Sequence, residues 1–439
     1  MAERRLRILL ISPSASYFIN NSEFEKYVRT SRDIRTILHF WSGIGLGLPT
    51  LAALTPETHD VRIVDENKEA IPSDGSYDIV GITAMTHQAD RAYEIASDFR
   101  RRGCYVVMGG IHASVCPREA LRYTDSVFVG EAENMWPAFL SDFLQRSPKR
   151  IYNQSDYRPV EMSDSPVPKY SLLAKYSYPV VFVQTTRGCP HDCEFCVASN
   201  VYGKRYKRKP ISQVMEEVRE IKKYWKRAQI GFADDNMFVD RRYSRALVER
   251  FKELVFSWFA VCDVSVAQDE ELLRAMHESG CRTLLIGFES VREDNLQGIN
   301  ENRWKAKQLT HYPEYVQGIQ RHGIGVYGSF ILGFEQDTQQ TVDEIIDFIN
   351  SNYLLGGHAT ILTPLPGSRL RDRLKREGKI LDREWKWYTL WNAVIKHANF
   401  SPEDLEDGVM TIFKGIYNPD SNKRRAEYFK RIYGELVQG

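Results

Sequence analysis

Val180-Val181-Phe182-Val183-Gln184-Thr185-Thr186-Arg187-Gly188-Cys189-Pro190-His191-Asp192-Cys193-Glu194-Phe195-Cys196 sets the architecture. The apolar, β-branched run reads as a buried strand, and Gly188 releases the chain into a loop. Cys189, Cys193 and Cys196 then follow with three and two residues between them, so three thiolates on one loop can face one centre. Thiolates suit iron–sulfur clusters and zinc. A closed structural zinc site wants a fourth nearby ligand, for which His191 is the local candidate; three ligands alone leave a coordination position open, as a catalytic metal requires.

Downstream, strand-like runs at 229–232, 259–266, 283–288, 325–332 and 359–362 alternate with helical patterns, such as Val214, Met215, Val218, Ile221 and Trp225 at helical spacing. Six successive β-α units predict a partial (β/α)6 barrel over residues 179–372, with its site at the carboxyl ends of the strands. Upstream, residues 1–148 also alternate, with strands at 6–11, 61–64, 78–82, 105–108 and 127–129. Continuous apolar strands separated by helices imply a Rossmann-like parallel sheet covered on both faces, which takes ligands beyond its strand ends. Residues 149–178, with Pro159, Pro166 and Pro168, read as a linker. Residues 373–439 read as a small helical region, with a helix start at Ser401-Pro402-Glu403-Asp404. The fold class is α/β.

The formal net charge of +1 gives no bulk electrostatic reason to expect nucleic acid or an anionic membrane. No apolar run approaches the roughly 18 residues a membrane span needs. Seven cysteines, three of them crowded together, favour metal ligation over a disulfide framework and point to a reducing cytoplasm. Cys262 and Cys281 read as small core residues, and Lys204–Lys209 as a solvated charged face.

The cysteine spacing, Phe195 just before the last cysteine, and the preceding strand resemble the radical S-adenosylmethionine (SAM) superfamily. The resemblance implies a [4Fe–4S] cluster on Cys189, Cys193 and Cys196. In that superfamily SAM chelates the open iron, and reductive cleavage gives a 5′-deoxyadenosyl radical. It further implies SAM contacts from Phe195, Asp234 and Asp235, from Glu289 and Ser290, from Ser329, Ile331 and Gly333, and from Thr363. A reductant such as flavodoxin or ferredoxin would supply the electron.

The first domain resembles the cobalamin-binding domain that precedes the barrel in one large radical SAM subfamily. The resemblance rests on residues 47–54, Asp65, Gly81-Ile82-Thr83, Gly109-Gly110-Ile111-His112 and Gly130-Glu131-Ala132-Glu133. It is similar to members such as the hopanoid methylases and the anaerobic bacteriochlorophyll cyclase, and the resemblance implies cobalamin contacts at Thr83, Gly109, Gly110, Gly130 and Glu131. Where some cobalamin domains place Asp-x-His-x-x-Gly, this chain has Ser12-Pro13-Ser14-Ala15-Ser16-Tyr17, which offers cobalt no histidine. His87 and His112 read as hydrogen-bonded loop residues. The function implied is a cobalamin-dependent C-methyltransferase acting on an unactivated carbon of a small-molecule, lipid or natural-product substrate. Two alternatives stand beside it: a radical SAM cyclase, coupling or oxidising enzyme that does not use methylcobalamin, and a cofactor-binding sensor with a structural cluster.

Overall fold

Arg7–Ser12 (β1) is apolar from Ile8 to Ile11 because both of its faces are covered. It lies between β2 (Asp60–Asp65) and β3 (Ile79–Thr83), and the parallel sheet continues through β4 (Tyr105–Gly109), β5 (Ser126–Val129) and β6 (Ile151–Asn153) in the order β2-β1-β3-β4-β5-β6. The computed structural model describes residues 4–17, 19, 21–31, 44–74, 76–300 and 302–438. One face of the sheet packs on the helix Ala89–Arg101 through Ala92, Ile95, Ala96 and Phe99. The other packs on Met135–Leu144, which buries Trp136 and Phe139.

The second sheet begins with β7 (Val180–Val183). A short antiparallel pair, β8 (Thr186–Arg187) and β9 (Lys207–Arg208), follows it. The sheet continues with β10 (Gln229–Phe232), β11 (Trp258–Cys262), β12 (Cys281–Glu289), β13 (Gly325–Leu332) and β14 (Gly356–Ile361). All six strands are parallel in the order β14-β13-β12-β11-β10-β7, so the barrel is partial, with β7 and β14 at its two edges. The helix Pro402–Ile416 covers the β14 side, and Ser401 caps it by accepting from the Asp404 amide at 3.1 Å. No helix of the described residues is long and apolar enough to cross a membrane.

Three sequence readings need correction. The third barrel strand stops at Cys262, short of 266, because the Asp263 carboxylate accepts from the Ser265 amide at 2.9 Å and turns the chain into a 3-10 helix. The stretch 149–178 is not structureless: Ile151–Asn153 pairs with β5 as the sixth strand. Lys204–Lys209 is not a uniformly solvated face, since Lys207 and Lys209 are buried in ion pairs with Glu131 and Glu217. Strand alternation through β9 turns these two inward and leaves Arg208 outside. Cys262 and Cys281 are buried as expected.

Candidate functional site

The chain leaving β7 is fixed before it reaches the cysteines. Asp234, just beyond β10, is buried, and its carboxylate accepts from the Thr185 amide and the Thr185 hydroxyl, each at 2.8 Å, and from the Thr186 amide. Burial pushes this carboxyl up to about 6, against the pull of those hydrogen bonds. Asp235 accepts from the Gly188 amide at 3.1 Å. Gly188 has φ +93°, and a Cβ there would lie 2.4 Å from the Arg205 carbonyl oxygen, so only glycine fits the turn.

Cys189, Cys193 and Cys196 are half-buried, and the Cys196 amide donates to the Cys193 carbonyl at 3.0 Å, tightening the last interval. Burial pushes the Cys189 thiol up to about 11 and the Cys193 thiol up to about 12, and the charge of the neighbouring cysteines adds to both shifts. Thiols held protonated in this way suit a cationic centre, whose positive charge would hold the three cysteines as thiolates. The His191 Nε2 lies 3.1 Å from the Asp263 carboxylate and its ring 4.7 Å from that of Trp304, and among the described residues His191 does not converge with the cysteines within the 4.8 Å that a compact zinc site would need. Burial alone would raise the Asp263 carboxyl, but hydrogen bonds from His191, Ser265 and Asn236 outweigh it and hold the group well below the usual carboxylate range.

Glu289 ends β12 with φ +66°, after a register shift between Gly287 and Glu289. Left-handed backbone at a non-glycine costs on the order of 1–3 kcal/mol and clusters at functional sites; here it re-aims the side chain. The carboxylate meets the buried Lys305 at 2.9 Å. Burial would lower the Lys305 ammonium, yet Glu289 and Cys193 raise it. Ser290 is buried, and its hydroxyl accepts from the Arg292 amide at 3.1 Å and Asn295 at 2.9 Å. The Ser329 hydroxyl lies 3.1 Å from His358 Nε2, Ile331 is buried beside it on β13, and Gly333 (φ +108°) donates its amide to Asp337 at 2.8 Å. The Thr363 hydroxyl donates to the Ile361 carbonyl at 2.8 Å. Phe195 packs half-buried on the core beside Cys193. Asp234, Ser290 and Thr363 thus spend their polar atoms within the protein and shape the strand ends.

The first sheet meets this mouth with its own carboxyl ends. Thr83 is in register with Gly109. Gly110 has φ +92°, and a Cβ there would lie 2.7 Å from the Thr83 hydroxyl. At Gly109, by contrast, the nearest neighbour would be 3.6 Å away, so a methyl fits. Gly130 (φ +96°) lies under the Gln154 side chain, which a Cβ would strike at 2.2 Å. His112 is buried with Nε2 at 2.9 Å from the Tyr93 hydroxyl, while its Nδ1 has no hydrogen-bond partner among the described residues. His87 departs from the hydrogen-bonded reading: its Nε2 is buried and has no hydrogen-bond partner among the described residues. The ring lies 5.3 Å from that of Tyr17, and burial pushes it down to about 4. The room at Gly109 and the orphaned buried nitrogen of His87 fit a bulky ligand with polar edges, as a corrinoid is, whereas the protein's own Thr83, Ala84 and Gln154 fill the space at Gly110 and Gly130.

Glu131 holds the two mouths together. It accepts from Lys207 and from Arg187, each at 2.6 Å, while Glu133 pairs with Arg187 at 2.9 Å and accepts from Ser165 at 2.7 Å. All four charged residues are buried. Burial would lower Arg187, but Glu133 and Glu131 outweigh it. The sequence reading took Glu131 for a ligand contact and missed this network, whose members lie far apart along the chain and leave no local pattern.

A family model described as the radical SAM superfamily matches residues 183–349, and one described as the B12 binding domain matches residues 42–140. The chain is 30% identical over 407 residues to bacteriochlorophyllide d C-8(2)-methyltransferase of Chlorobaculum tepidum, covering 89% of each chain. It is 28% identical over 346 residues to hopanoid C-2 methylase of Rhodopseudomonas palustris, covering 76% of this chain and 65% of that one. Its fold is similar to that of the cobalamin-dependent S-adenosylmethionine radical enzyme OxsB, solved with aqua-cobalamin bound, with a TM-score of 0.69 and 13% identity over 97% of this chain and 71% of the other.

Proposed function

The chain belongs to the radical SAM enzymes that carry a B12-binding domain ahead of the barrel, and on that premise we propose that it is a cobalamin-dependent C-methyltransferase acting on an unactivated carbon. One observation carries this reading. The cysteine loop and the glycine-bearing ends of the first sheet are clamped mouth to mouth by the buried Glu131, Glu133, Arg187 and Lys207 network. A radical centre and a methyl donor must both reach one substrate atom, and that juxtaposition brings their sites together.

Cys189, Cys193 and Cys196 would hold the [4Fe–4S] cluster, and cobalamin would meet the strand ends at Thr83, Gly109, Gly110 and Gly130. When bound, the cluster with SAM supplies a carbon-centred radical and cobalamin supplies a transferable methyl group. The chain's own residues orient these groups. Asp234 and Asp235 fix the entry to the cysteine loop through Thr185, Thr186 and Gly188. Asp263 holds His191 and so the middle of that loop. Among the residues assigned to SAM, Phe195, Asp235, Glu289, Ser329, Ile331 and Gly333 would face it, whereas Asp234, Ser290 and Thr363 position them.

Two of the relatives act, by name, on a bacteriochlorophyllide and a hopanoid. Both are large multi-ring molecules, and we assign this chain a substrate of that class. The test supplies the reduced, cobalamin-loaded protein with methyl-labelled SAM and such substrates. Label in the product supports the methyltransferase. Consumption of substrate with 5′-deoxyadenosine but no label in the product would move the assignment to a cyclase or oxidase.

A further inference from the structure

The radical reading requires that one electron reach the cluster for each SAM cleaved, and the structure offers a surface for its delivery. Outside the barrel mouth lies a cleft of about 590 Å³ whose wall includes Glu194, the residue between Cys193 and Phe195. Arg303, Arg369, Arg373 and Arg376 line it, with Asp372 as the second acid of its wall. Only part of that charge is spent locally. Arg373 is held by Glu194 at 2.7 Å and by Glu377 at 3.3 Å, and Arg369 faces Asp192 at 3.6 Å. Arg303 and Arg376 are exposed and make no ion pair among those found for the described residues.

The cleft is built rather than incidental. Arg303 stands at φ +49°, a strained conformation for an arginine, and Asn300 holds it there by accepting from the next amide, Trp304, at 3.0 Å. The Nδ2 of Asn300 is itself buried, lines the cleft and has no partner among the described residues. This unused donor beside four guanidiniums wants anionic oxygen. The walls are also coupled directly to the cysteine loop: the Glu194 amide donates to the Ile299 carbonyl at 2.8 Å, and the Leu370 amide donates to the Glu194 carbonyl at 3.0 Å.

We propose that this arginine-lined cleft is the docking face for a small acidic one-electron carrier protein, bearing a flavin or an iron–sulfur centre, which reduces the cluster through the Cys193–Cys196 side of its loop. The inference rests on the radical SAM reading. In each encounter one electron passes from the reduced carrier to the oxidised cluster, and no bond forms or breaks in that step. Carboxylates rimming the carrier's redox centre meet the arginines and steer the encounter, so the association rate falls as salt rises.

The test compares two ways of driving SAM cleavage by the reconstituted full-length protein: dithionite, and a flavodoxin kept reduced by its reductase. In the double variant Arg303→Glu/Arg376→Glu, flavodoxin-driven formation of 5′-deoxyadenosine should fall by about tenfold or more and lose most of its salt dependence. Its dithionite-driven rate and iron content should match those of the parent. Equal flavodoxin-driven rates and salt dependence in the two proteins would overturn the proposal. Should the double reversal fail to fold, Arg303→Gln and Arg376→Gln singly carry the same comparison with smaller shifts. Absence of dithionite-driven cleavage in the parent would instead defeat the radical SAM reading itself, so the two failures are distinguishable.

Discussion

The ends of the barrel strands carry thiols, carboxylates and hydroxyls, whereas the ends of the first sheet carry Gly109, Gly110 and Gly130. Both sheets are parallel, six-stranded and buried on both faces, so the difference lies in how each would receive a ligand. The barrel answers with side chains whose charges are set by burial and by partners, as at Cys193, Lys305 and Asp263. The first sheet answers with glycine turns, of which Gly109 has room beside it while Gly110 and Gly130 are packed by Thr83 and Gln154. A metal centre must be ligated and therefore needs specific atoms. A large organic cofactor must above all be accommodated.

This contrast predicts the largest effect at the cysteines. Replacing Cys189, Cys193 or Cys196 with Ala should abolish the cluster's visible absorbance and reduce SAM cleavage to background, while corrinoid uptake persists. A variant that still cleaves SAM normally would break the ligand assignment.

Next comes the clamp between the regions. Arg187→Met strands Glu133 and half of the pairing of Glu131 in a buried setting, where uncompensated charge costs about 3–5 kcal/mol. Denaturant unfolding should show that loss, and a change within the ordinary surface range of about 0.5 kcal/mol would mean that the network is not holding the mouths together.

A smaller effect separates two adjacent glycines. Gly110→Ala must adopt φ +92° and push on the Thr83 hydroxyl and the Ala84 backbone, so it should weaken corrinoid uptake and cost about 1–3 kcal/mol. Gly109→Ala, which has room for its methyl, should leave stability nearly unchanged. Corrinoid bound per chain, measured for both, sharpens where the ligand meets the backbone; equal uptake in both variants would show that the Gly110 turn is not part of the cradle.

A last effect is a pH dependence inside the barrel. Burial pushes His358 down to about 4, below its ordinary value near 6.5. Between those values the unfolded chain takes up a proton that the folded chain refuses, so this group's contribution to stability is present above about pH 6.5 and is lost as the pH falls to about 4. The full span corresponds to roughly 3 kcal/mol at most. His358→Gln should flatten stability against pH over that window; an unchanged slope would show that other groups dominate it.

The barrel site was legible in the sequence because its chemistry resides in residue types at short spacing, and Cys189, Cys193 and Cys196 stand in one loop. The parallel sheets were legible through their apolar strands. What escaped reading depends on contacts across the chain. Glu131 and Lys207 stand 76 residues apart, and His191 and Asp263 stand 72 apart, with no periodicity to join them. The early end of β11 escaped for a different reason. Val264 and Val266 continue an apolar pattern, and the Asp263 side chain overrides it by capping its own turn. The inward turn of Lys207 and Lys209 was hidden by their charge, since buried lysines are rare unless paired, and their partners are visible only in the fold.

The central claim is that a radical centre and a corrinoid methyl donor share one mouth. Its most direct measurement is a quantitative analysis of the anaerobically reconstituted, cobalamin-supplied protein turning over SAM under a reductant. The account predicts about four irons per chain, bound corrinoid, and formation of both 5′-deoxyadenosine and S-adenosylhomocysteine in the presence of substrate. Iron and 5′-deoxyadenosine without corrinoid or S-adenosylhomocysteine would contradict it.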